Sequence, residues 1–597
     1  MITYRIGLAS RLSHHFSITL TVPQPAALQQ VSLPVWINGS YLVRDFSRHL
    51  SGLTAQQGRQ VLALEQLDTS RWQVRCSGRA ALVLRYRVYA FDASVRAAFL
   101  DAQRGFFNPG SLCLRVHGHE AGVHRLQLAG LPAGWDVATT LAMAAGGDGH
   151  PVANTFEAPD YDDLLDHPLE LGQFWRGTFD VGGVPHALVV TGALPGFDGD
   201  RLLADARRIC GQQIDFWHGH DGSAPPFQRY LFLLNAVADG YGGLEHRSST
   251  ALIAARRDLP QDALHGRQGP GLTDGHVTLL GLISHEYFHS WNVKRLKPAE
   301  LAHINLQAEN PSQLLWFFEG FTSYYDDLLL LRCGLIDAPR YLQLLAKSIN
   351  AVAATPGRRV QSVAQASFEA WTKYYRPDEN TPNATVSYYQ KGALVALAFD
   401  LTLRQHGASL DAVMRGLWQR SGAGRPGAGH AAGAITEADI SAVLASVAGR
   451  PLVAELQAWV HGTAELPLAA LLTAFGVDQR QERASLSTRL GLRLSEGVVS
   501  GVQVKSVLAG SVAEAAGVSP GDELLAVDGW RIRRLDEAEA WLARAQPFAL
   551  LLVRDQRVMT LRLRPAAAAA GTGALQLHLQ DKPGRSVAAL RRGWLGA

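Results

Sequence analysis

The segment Ser284–Pro298, SHEYFHSWNVKRLKP, constrains this chain more than any other stretch. His285 and His289 are four residues apart, and Glu286 lies beside the first histidine. An α-helix turns by about 100° per residue, so the two imidazoles share one face and can meet one metal ion. The segment therefore predicts a helix that presents two zinc ligands, with Glu286 as the general base. The alternative is an ordinary helix with two hydrogen-bonded histidines.

A third ligand must come from another helix, and Glu319 is the best candidate. It lies in LLWFFEGFTSYY, where apolar and aromatic residues surround it, so a mostly buried helix is expected. A buried carboxylate costs several kcal/mol or stays protonated unless a positive group meets it, and zinc is such a group. A glutamate on a narrow polar strip is the alternative. Cap residues predict that this helix opens at Asn310-Pro311 and ends at Gly334.

Length and composition set the broader frame. With 597 residues the chain is too long for one hydrophobic core, and 47% hydrophobic with 18% charged residues is typical of a globular protein. A net charge of +3 gives no reason to expect nucleic acid or a membrane as a partner. The four cysteines are scattered, which favours reduced thiols. No signal peptide or long apolar run is evident, so we predict a cytoplasmic protein.

Changes of pattern along the chain predict several domains. Residues 1–175 contain short alternating segments typical of β-strands, and the pattern is helical from about 200 to 465. The stretch 421–434 reads as an exposed loop, after which Thr436 is the expected cap of a new helix. Residues 486–565 return to short strands around one helix. We expect 566–597 to be a linker and a poorly ordered basic tail.

The motifs together resemble a known class of enzymes. His285-Glu286-x-x-His289 followed by Trp-x-x-Glu319-Gly-Phe-x-x-Tyr resembles the gluzincin metallopeptidases, which include thermolysin and the aminopeptidase N type. The longer string HEYFHSWNVKRLKP, with GGLEH upstream, resembles the glycyl aminopeptidase family more narrowly, and LPVWINGSYLVRDFSRHL (33–50) fits its N-terminal part. The resemblance implies a multidomain α+β chain: a β-rich N-terminal domain (1–175), a mainly helical, thermolysin-like catalytic domain (176–485) and a PDZ domain (486–565).

The same resemblance implies the function. We expect one Zn²⁺ per chain, held by His285, His289 and Glu319, and hydrolysis of peptides with a free N-terminus, small residues such as Gly or Ala being favoured. The connection from His289 to Glu319 is longer than in aminopeptidase N relatives, which fits the narrower family. Ser323 stands where thermolysin has an aspartate that orients a histidine, so the partners of the two imidazoles are unassigned, with Asp326 or Asp327 as candidates.

A tyrosine motif supplies a candidate donor to the transition state. SYYQKGALVALAF contains Tyr389-x-Lys-Gly, which resembles the catalytic tyrosine motif of aminopeptidase N relatives. By position Tyr389 is the donor to the oxygen on which negative charge develops, and Tyr388 lines the pocket. The alternative is a buried aromatic pair at the start of a helix.

The segment YGGLEHRSST (241–250) supplies a candidate substrate strand. It resembles the Gly-x-Met-Glu-Asn strand of aminopeptidases, with Leu244 in place of Met and His246 in place of Asn. Glu245 falls where the family's glutamate holds the free α-amine, while Gly242 and Gly243 allow close approach of a substrate backbone. A surface glutamate on an edge strand is the alternative.

The C-terminal module resembles a PDZ domain through VLAGSVAEAAGVSPGDELLAVDGWRI (507–532). By position Leu490, Gly491 and Leu492 form its carboxylate-binding loop, so a C-terminal peptide is a possible partner; an inert packing domain is the alternative. For the whole chain we expect a zinc aminopeptidase. A zinc endopeptidase with PDZ-recruited substrates and a non-catalytic PDZ scaffold remain the alternatives.

Overall fold

The first strands show why the N-terminal region folds as sheets. In His15–Val22 every second side chain, from Phe16 to Val22, is buried, because alternate residues of a strand point to the same face. The computed structural model describes residues 1–147, 149–261, 272–423, 432–497, 499–542, 546–564 and 573–596. The chain divides into two compact units, Met1–Asn310 with Ser421–Ala434 and Pro311–Arg420 with Ile435–Ala597. The boundaries predicted at residues 175, 485 and 565 stay predictions.

The first unit begins with three sheets. An eight-stranded sheet has the order β14-β15-β12-β1-β2-β8-β4-β5, and two four-stranded sheets have the orders β13-β16-β10-β9 and β11-β3-β7-β6. One hydrophobic core lies under these strands, which confirms the predicted β-rich N-terminal region. The strands and the short helix among them are β1 Ile2–Ser10, β2 His15–Val22, β3 Leu28–Ser32, β4 Leu50–Gln57, β5 Gln60–Leu62, β6 Leu64–Gln66, β7 Arg71–Arg75, β8 Leu82–Tyr89, β9 Ala98–Leu100, β10 Arg104–Phe107, β11 Arg115–Val116, β12 His124–Ala129, β13 Asp136–Ala138, β14 Ala142–Ala145, β15 Pro151–Ala158, α1 Tyr161–Leu165 and β16 Leu169–Gly172.

A mixed five-stranded sheet follows in the same unit, with the order β17-β18-β19-β21-β20. Strand β19 pairs in parallel with β18 and β21, and seven of its eight residues are buried. The expectation of a helical pattern from about residue 200 is therefore wrong for 230–255: a strand buried on both faces has no alternation to reveal it. The elements are β17 Trp175–Val181, β18 Val184–Thr191, α2 Gly199–His218, β19 Tyr230–Val237, β20 Tyr241–Glu245, β21 Ser249–Ala255, α3 Asp274–Phe288 and β22 Lys297–Pro298.

The second unit is mainly helical up to residue 474. The predicted helix from Asn310 to Gly334 is two helices instead: it begins at Leu315, is interrupted at Glu319 and ends at Arg332. The expected cap Thr436 is confirmed, with a complete capping box to Asp439. Most of the predicted loop 421–434 lies outside the described residues. The helices and the short strand are α4 Leu315–Phe318, α5 Gly320–Arg332, α6 Ala338–Ala353, α7 Val363–Phe368, α8 Thr381–Ala384, α9 Tyr388–Gln405, α10 Leu410–Ser421, β23 Ala434–Ile435, α11 Glu437–Ala448, α12 Val453–Leu456 and α13 Leu468–Ala474, with π-helical turns at Ala370–Tyr374 and Gln457–His461.

The C-terminal module is a sheet of six strands with its own core, in which β25 is an edge strand. Two strands outside this sheet, β24 and β31, pair with each other, so that Gln481 lies opposite Leu575. The elements are β24 Val477–Gln481, α14 Leu486–Leu490, β25 Leu492–Gly497, β26 Gly501–Val507, α15 Val512–Ala515, β27 Glu523–Val527, β28 Trp530–Arg531, β29 Phe548–Arg554, β30 Arg557–Leu563, β31 Leu575–Leu579 and α16 Arg585–Leu595.

The segment after residue 574 corrects the prediction of a poorly ordered tail. It forms β31 and α16, and the Trp594 side chain on α16 is fully buried. Trp594 packs against the rings of Tyr341 and Phe475, and its Nε1–H donates to the Tyr324 hydroxyl at 3.2 Å. The basic composition misled the prediction, because the arginines of this helix surround one apolar face. Residues 565–572 of the predicted linker lie outside the described residues. Across the described ranges, no helix has the length and apolar character needed to cross a membrane.

Candidate active site

Helix α3 carries both predicted histidine ligands at its C-terminal end. The Nε2 atoms of His285 and His289 are 3.0 Å apart. Two nitrogens bound tetrahedrally to zinc at about 2.0–2.1 Å would lie about 3.3 Å apart, so this pair fits one zinc ion. Nδ1 of His289 lies 2.7 Å from the carbonyl oxygen of Asn292 and donates to it, which directs Nε2 toward a metal. That carbonyl is the orienting partner of His289 that sequence reasoning missed.

Helix α2 holds α3 through buried polar contacts at three levels. Asp205 Oδ2 is 3.0 Å from Nε2 of His276, and the amide of Gln213 donates to the carbonyl and hydroxyl oxygens of Ser284 at 2.8 and 3.0 Å. At the far end, the Trp291 indole N–H donates to Nε2 of His218 at 2.8 Å. Because buried polar bonds have strict geometry, these contacts fix the rotation of α3, and with it the direction of the two imidazoles.

Glu286 lies on the same helix, buried with 5% of its surface exposed. The backbone of Gly243 on β20 passes directly over its carboxylate: a β-carbon on Gly243 would lie 2.1 Å from Oε1 of Glu286. The guanidinium of Arg96 donates to the Gly243 carbonyl at 3.3 Å. The double glycine thus lets this strand approach the candidate base itself, a contact that the sequence pattern did not reveal.

Glu245 ends strand β20 and is also buried, with 4% exposed, so it is not the surface glutamate of the alternative hypothesis. One ligand atom from each of Glu245, Glu286 and His289 lies within 4.8 Å of the others. Gly39, whose φ is +95°, packs on the Glu245 carboxylate, where a β-carbon would lie 2.6 Å from Oε1. Two buried carboxylates at this separation repel each other, so a cation between them would be strongly favoured.

Strand β20 leaves one edge of its sheet open. It pairs with β21 on one side, and the sheet order ends there. A strand edge of this kind presents backbone N–H and C=O groups to which an extended peptide can pair. Gly242, with φ of +154°, and Gly243 lie on this edge, next to the buried Glu245.

The second unit contains the remaining candidates. Glu319 lies between α4 and α5 with 2% exposed, and the aromatic side chains around it, Trp316, Phe317, Phe318 and Phe321, are fully buried, as predicted. Helix α5 lies very close to α9 here: a β-carbon on Gly320 would be 2.6 Å from Cα of Gly392. A carboxylate in such a position requires a positive partner, and carboxylate oxygen is a normal zinc donor.

Four tyrosines form a cluster beside Glu319. The Tyr389 and Tyr375 hydroxyls are 2.9 Å apart, and the Tyr388 hydroxyl donates to Tyr375 at 3.2 Å. Tyr388 is fully buried, whereas Tyr389 is only partly buried. Burial, and then the negative charge of Glu319, raise the pKa of Tyr389 well above its usual value, so its hydroxyl stays protonated. Sequence reasoning missed Tyr375, which follows the π-helical turn Ala370–Tyr374; such turns often occur at functional sites.

The candidate PDZ loop lies where α14 meets β25. Leu490 and Leu492 are buried, and Gly491 ends α14 with φ of +74° and an N–H that donates to the Thr488 carbonyl at 3.1 Å. A groove of about 640 Å³ runs beside the open edge of β25, between that strand and Arg533–Glu537. The groove is therefore present, while one of the three amide groups already has an internal partner.

Comparison with known proteins identifies three regions. The family described as M61 glycyl aminopeptidase matches residues 278–395, the M61 N-terminal domain matches 3–173, and the PDZ domain matches 479–549. An aminopeptidase N family protein from Idiomarina loihiensis has a crystal structure that is 34% identical, with a TM-score of 0.90 and 100% of both chains covered. The predicted fold class, with a C-terminal PDZ domain, is thereby confirmed.

More distant structures have lower similarity. An M1 zinc metallopeptidase from Deinococcus radiodurans is 15% identical, with a TM-score of 0.46, over 78% of this chain and 94% of its own. Native yeast LTA4 hydrolase is 12% identical, with a TM-score of 0.44, over 79% of this chain and 70% of its own. No curated protein matches the chain.

Proposed function

Because the chain belongs to the M61 glycyl aminopeptidase family of peptidases, we propose that it is a zinc-dependent aminopeptidase that removes N-terminal residues from peptides. The observation that carries this proposal is the buried Glu245 carboxylate, which lies within 4.8 Å of Glu286 and His289. By resemblance, small N-terminal residues such as Gly or Ala are favoured. A cytoplasmic location remains a prediction from the sequence.

We propose that His285, His289 and Glu319 hold one zinc ion per chain. Two imidazole nitrogens directed at one point and a buried carboxylate are the donors of catalytic zinc sites, which keep one position open. When bound, zinc would supply the positive charge that activates water and polarises a peptide carbonyl. The Asn292 carbonyl keeps the Nδ1 proton of His289 in place, so that Nε2 remains a donor to the metal.

Glu286 and Tyr389 have complementary roles in this proposal. Glu286 accepts the proton of the attacking water and passes it to the leaving amine, for which a carboxylate on the metal helix is well suited. Tyr389 donates a hydrogen bond to the carbonyl oxygen as negative charge develops there, since its raised pKa keeps the proton on the hydroxyl. Tyr388, being fully buried, forms the wall behind Tyr389.

Glu245 selects a free N-terminus in this proposal. The α-amine of a peptide carries a positive charge near neutral pH, and a charge-assisted bond to a buried carboxylate is worth about 1.5–3 kcal/mol. An internal amide brings no charge to offset the desolvation of Glu245, so longer chains are excluded. The open edge of β20, with Gly242 and Gly243, pairs with the substrate backbone.

A direct test combines zinc analysis with two peptides that differ only in the N-terminal group, Ala-Ala-Ala and N-acetyl-Ala-Ala-Ala. We expect about one zinc per chain and efficient hydrolysis of the free-amine peptide alone. Glu245→Gln should lower kcat/KM on the free-amine peptide by about tenfold or more with zinc retained, because the charged bond is lost while the shape is kept. Glu65→Gln, at an exposed glutamate of β6, is the matched control.

The alternatives give different results in the same assay. Equal cleavage of both peptides, unaffected by Glu245→Gln, would establish a zinc endopeptidase, for which the PDZ groove would recruit substrates. A protein without zinc and without hydrolysis of either peptide would be a PDZ scaffold.

A further inference from the structure

A chamber of about 240 Å³ lies in the first unit, next to the residues that surround Glu245. Its wall includes Asn38 and His246, the chain neighbours of Gly39 and Glu245, together with Val293, Lys294 and Lys297 from the segment after α3. None of these side chains has a role in the proposed chemistry. The chamber is therefore a separate feature that borders the candidate amine anchor.

One buried carboxylate, Asp166, lies at the base of this chamber. Lys294 Nζ is 3.2 Å from Oδ1, His246 Nδ1 is 3.4 Å from the same oxygen, and the backbone N–H of Arg247 donates to Oδ2 at 3.0 Å. Burial alone would raise the pKa of Asp166, but Lys294 and His246 outweigh it and hold this pKa well below its usual range. Asp166 is thus ionised, and its charge is balanced by Lys294.

Lys297 adds a positive charge to the wall. It is three-quarters enclosed by protein, and burial, followed by the positive charges of Arg247 and Lys294, lowers its pKa to about 8. Asp162, the other acid on the wall, is exposed to solvent. The enclosed part of the chamber therefore carries two lysine ammonium groups against one carboxylate, an excess of one positive charge.

Two further features point to a ligand. His246 has 1% of its surface exposed, and its Nε2 has no hydrogen-bond partner among the described residues. Buried polar atoms are normally paired, so an unpaired one on a chamber wall indicates a missing partner. Val293, on the same wall, has φ of +144°, a strained conformation for a β-branched residue, and such strain concentrates at binding sites.

We propose that this chamber binds a single carboxylate group, held by Lys297 and by the Nε2 of His246. One anion would neutralise the excess charge and supply the partner that His246 lacks. The carboxylate has two possible sources, the acidic side chain of a substrate residue or a free small carboxylate. The first source rests on the proposed aminopeptidase function, and the second does not.

The test uses the full-length zinc-loaded protein. For the substrate source, kcat/KM is compared between Glu-Ala-Ala and the nearly isosteric, uncharged Gln-Ala-Ala; for the free source, thermal melting is followed with glutarate and with uncharged glutaramide. We expect one carboxylate of the two kinds to be preferred by about tenfold over its amide. Lys297→Met should abolish this preference, and Lys297→Arg should keep most of it. Lys505→Met, at an exposed lysine of β26, is the control.

The outcomes are separable. If glutarate and glutaramide act alike and Glu-Ala-Ala is cleaved no faster than Gln-Ala-Ala, the chamber binds no carboxylate and the proposal fails. A preference that survives in Lys297→Met also overturns it. If no peptide is hydrolysed, the aminopeptidase proposal fails, and glutarate melting still decides whether the chamber binds a carboxylate.

Discussion

The hydroxyl oxygens of Tyr375 and Tyr389 lie 2.9 Å apart, and the Tyr388 hydroxyl donates to Tyr375 from the other side at 3.2 Å. Because Tyr375 receives the proton of Tyr388, its own O–H is directed to Tyr389, whose proton then remains available to another acceptor. The chain of three hydroxyls therefore orients Tyr389 as a donor. Tyr375 acts as a positioning residue in this arrangement.

Tyr375→Phe should lower kcat by about tenfold with little change in KM, since orientation matters where charge develops in the transition state. Tyr389→Phe should cost about 10²–10³ in kcat. The double variant should be no worse than Tyr389→Phe alone, because Tyr375 acts only through Tyr389. Additive losses would show a separate role for Tyr375, and Tyr374→Phe, whose hydroxyl is 3.4 Å from Ser387, is the control.

Glu286→Gln should retain zinc and lose nearly all turnover. Glutamine keeps the shape of the side chain but cannot accept a proton, and general-base catalysis is worth about 10²–10⁴ in rate. Zinc content and kcat are measured on the same preparation. Near wild-type kcat in a zinc-loaded variant would place the base elsewhere.

Gly243→Ala should reduce kcat strongly although no catalytic group is removed. The new β-carbon would lie 2.1 Å from Oε1 of Glu286, so the carboxylate must move. A displacement of about 1 Å at a reacting group can cost about 100-fold in rate. Zinc content should be unchanged. Gly584→Ala, where a β-carbon meets nothing within 4 Å, is the matched control, and equal activities of the two variants would contradict the prediction.

His218 should make stability depend on pH below neutrality. Burial lowers the pKa of His218 to about 4, and its Nε2 accepts the indole N–H of Trp291, which requires the neutral ring. The unfolded chain, with a histidine pKa of about 6.5, binds the proton first. Stability is therefore complete above about pH 6.5 and falls as the pH drops from there to about 4.

The size of this loss is up to about 3 kcal/mol, the equivalent of a shift from 6.5 to about 4. Urea unfolding at pH 7, 6 and 5 measures it. His218→Gln keeps an acceptor but cannot bind the proton, so its stability should fall less than that of the wild type over the same range. Parallel pH curves for the two proteins would exclude His218 as the cause.

The C-terminal helix should matter more for stability than the PDZ domain. Trp594 is fully buried, and Trp594→Ala should cost about 3–5 kcal/mol because a large cavity is left. A truncation after residue 574 should destabilise the second unit similarly. Thermal melting and zinc content check both variants, and unchanged melting of the truncated protein would contradict the prediction.

Removal of the PDZ domain alone should be tolerated. Gln481 and Leu575 are opposite each other in a two-stranded sheet, so a short Gly-Ser turn can replace the residues between them. The lost contacts are polar and near the surface, among them the bonds of the Asn383 side chain to the Val507 carbonyl and the Ala509 N–H at 2.9 and 2.8 Å. Each such bond is worth about 0.5–1.5 kcal/mol, so most activity on a short peptide should remain. A folded, zinc-loaded and inactive protein would show that this domain helps to form the active site.

The sequence by itself determined the features that rest on local periodicity. The four-residue spacing of His285 and His289 predicts one helical face, and α3 presents it. The aromatic residues around Glu319 predict burial, and Glu319 is buried. The cap at Ser387 places Tyr388 and Tyr389 at a helix start. Each of these signals arises from residues within about one or two helical turns of each other, so a single stretch of sequence contains it.

Only the tertiary structure decided the contacts between distant segments. Gly39 lies on Glu245, Gly243 lies over Glu286, and the Tyr375 hydroxyl lies beside that of Tyr389. The parallel strand β19 and the buried Trp594 also escaped prediction. A strand buried on both faces has no alternation, and an apolar side chain in a basic segment has no periodic neighbours. Which distant surfaces meet depends on the packing of complete elements, and no local stretch of residues records that choice.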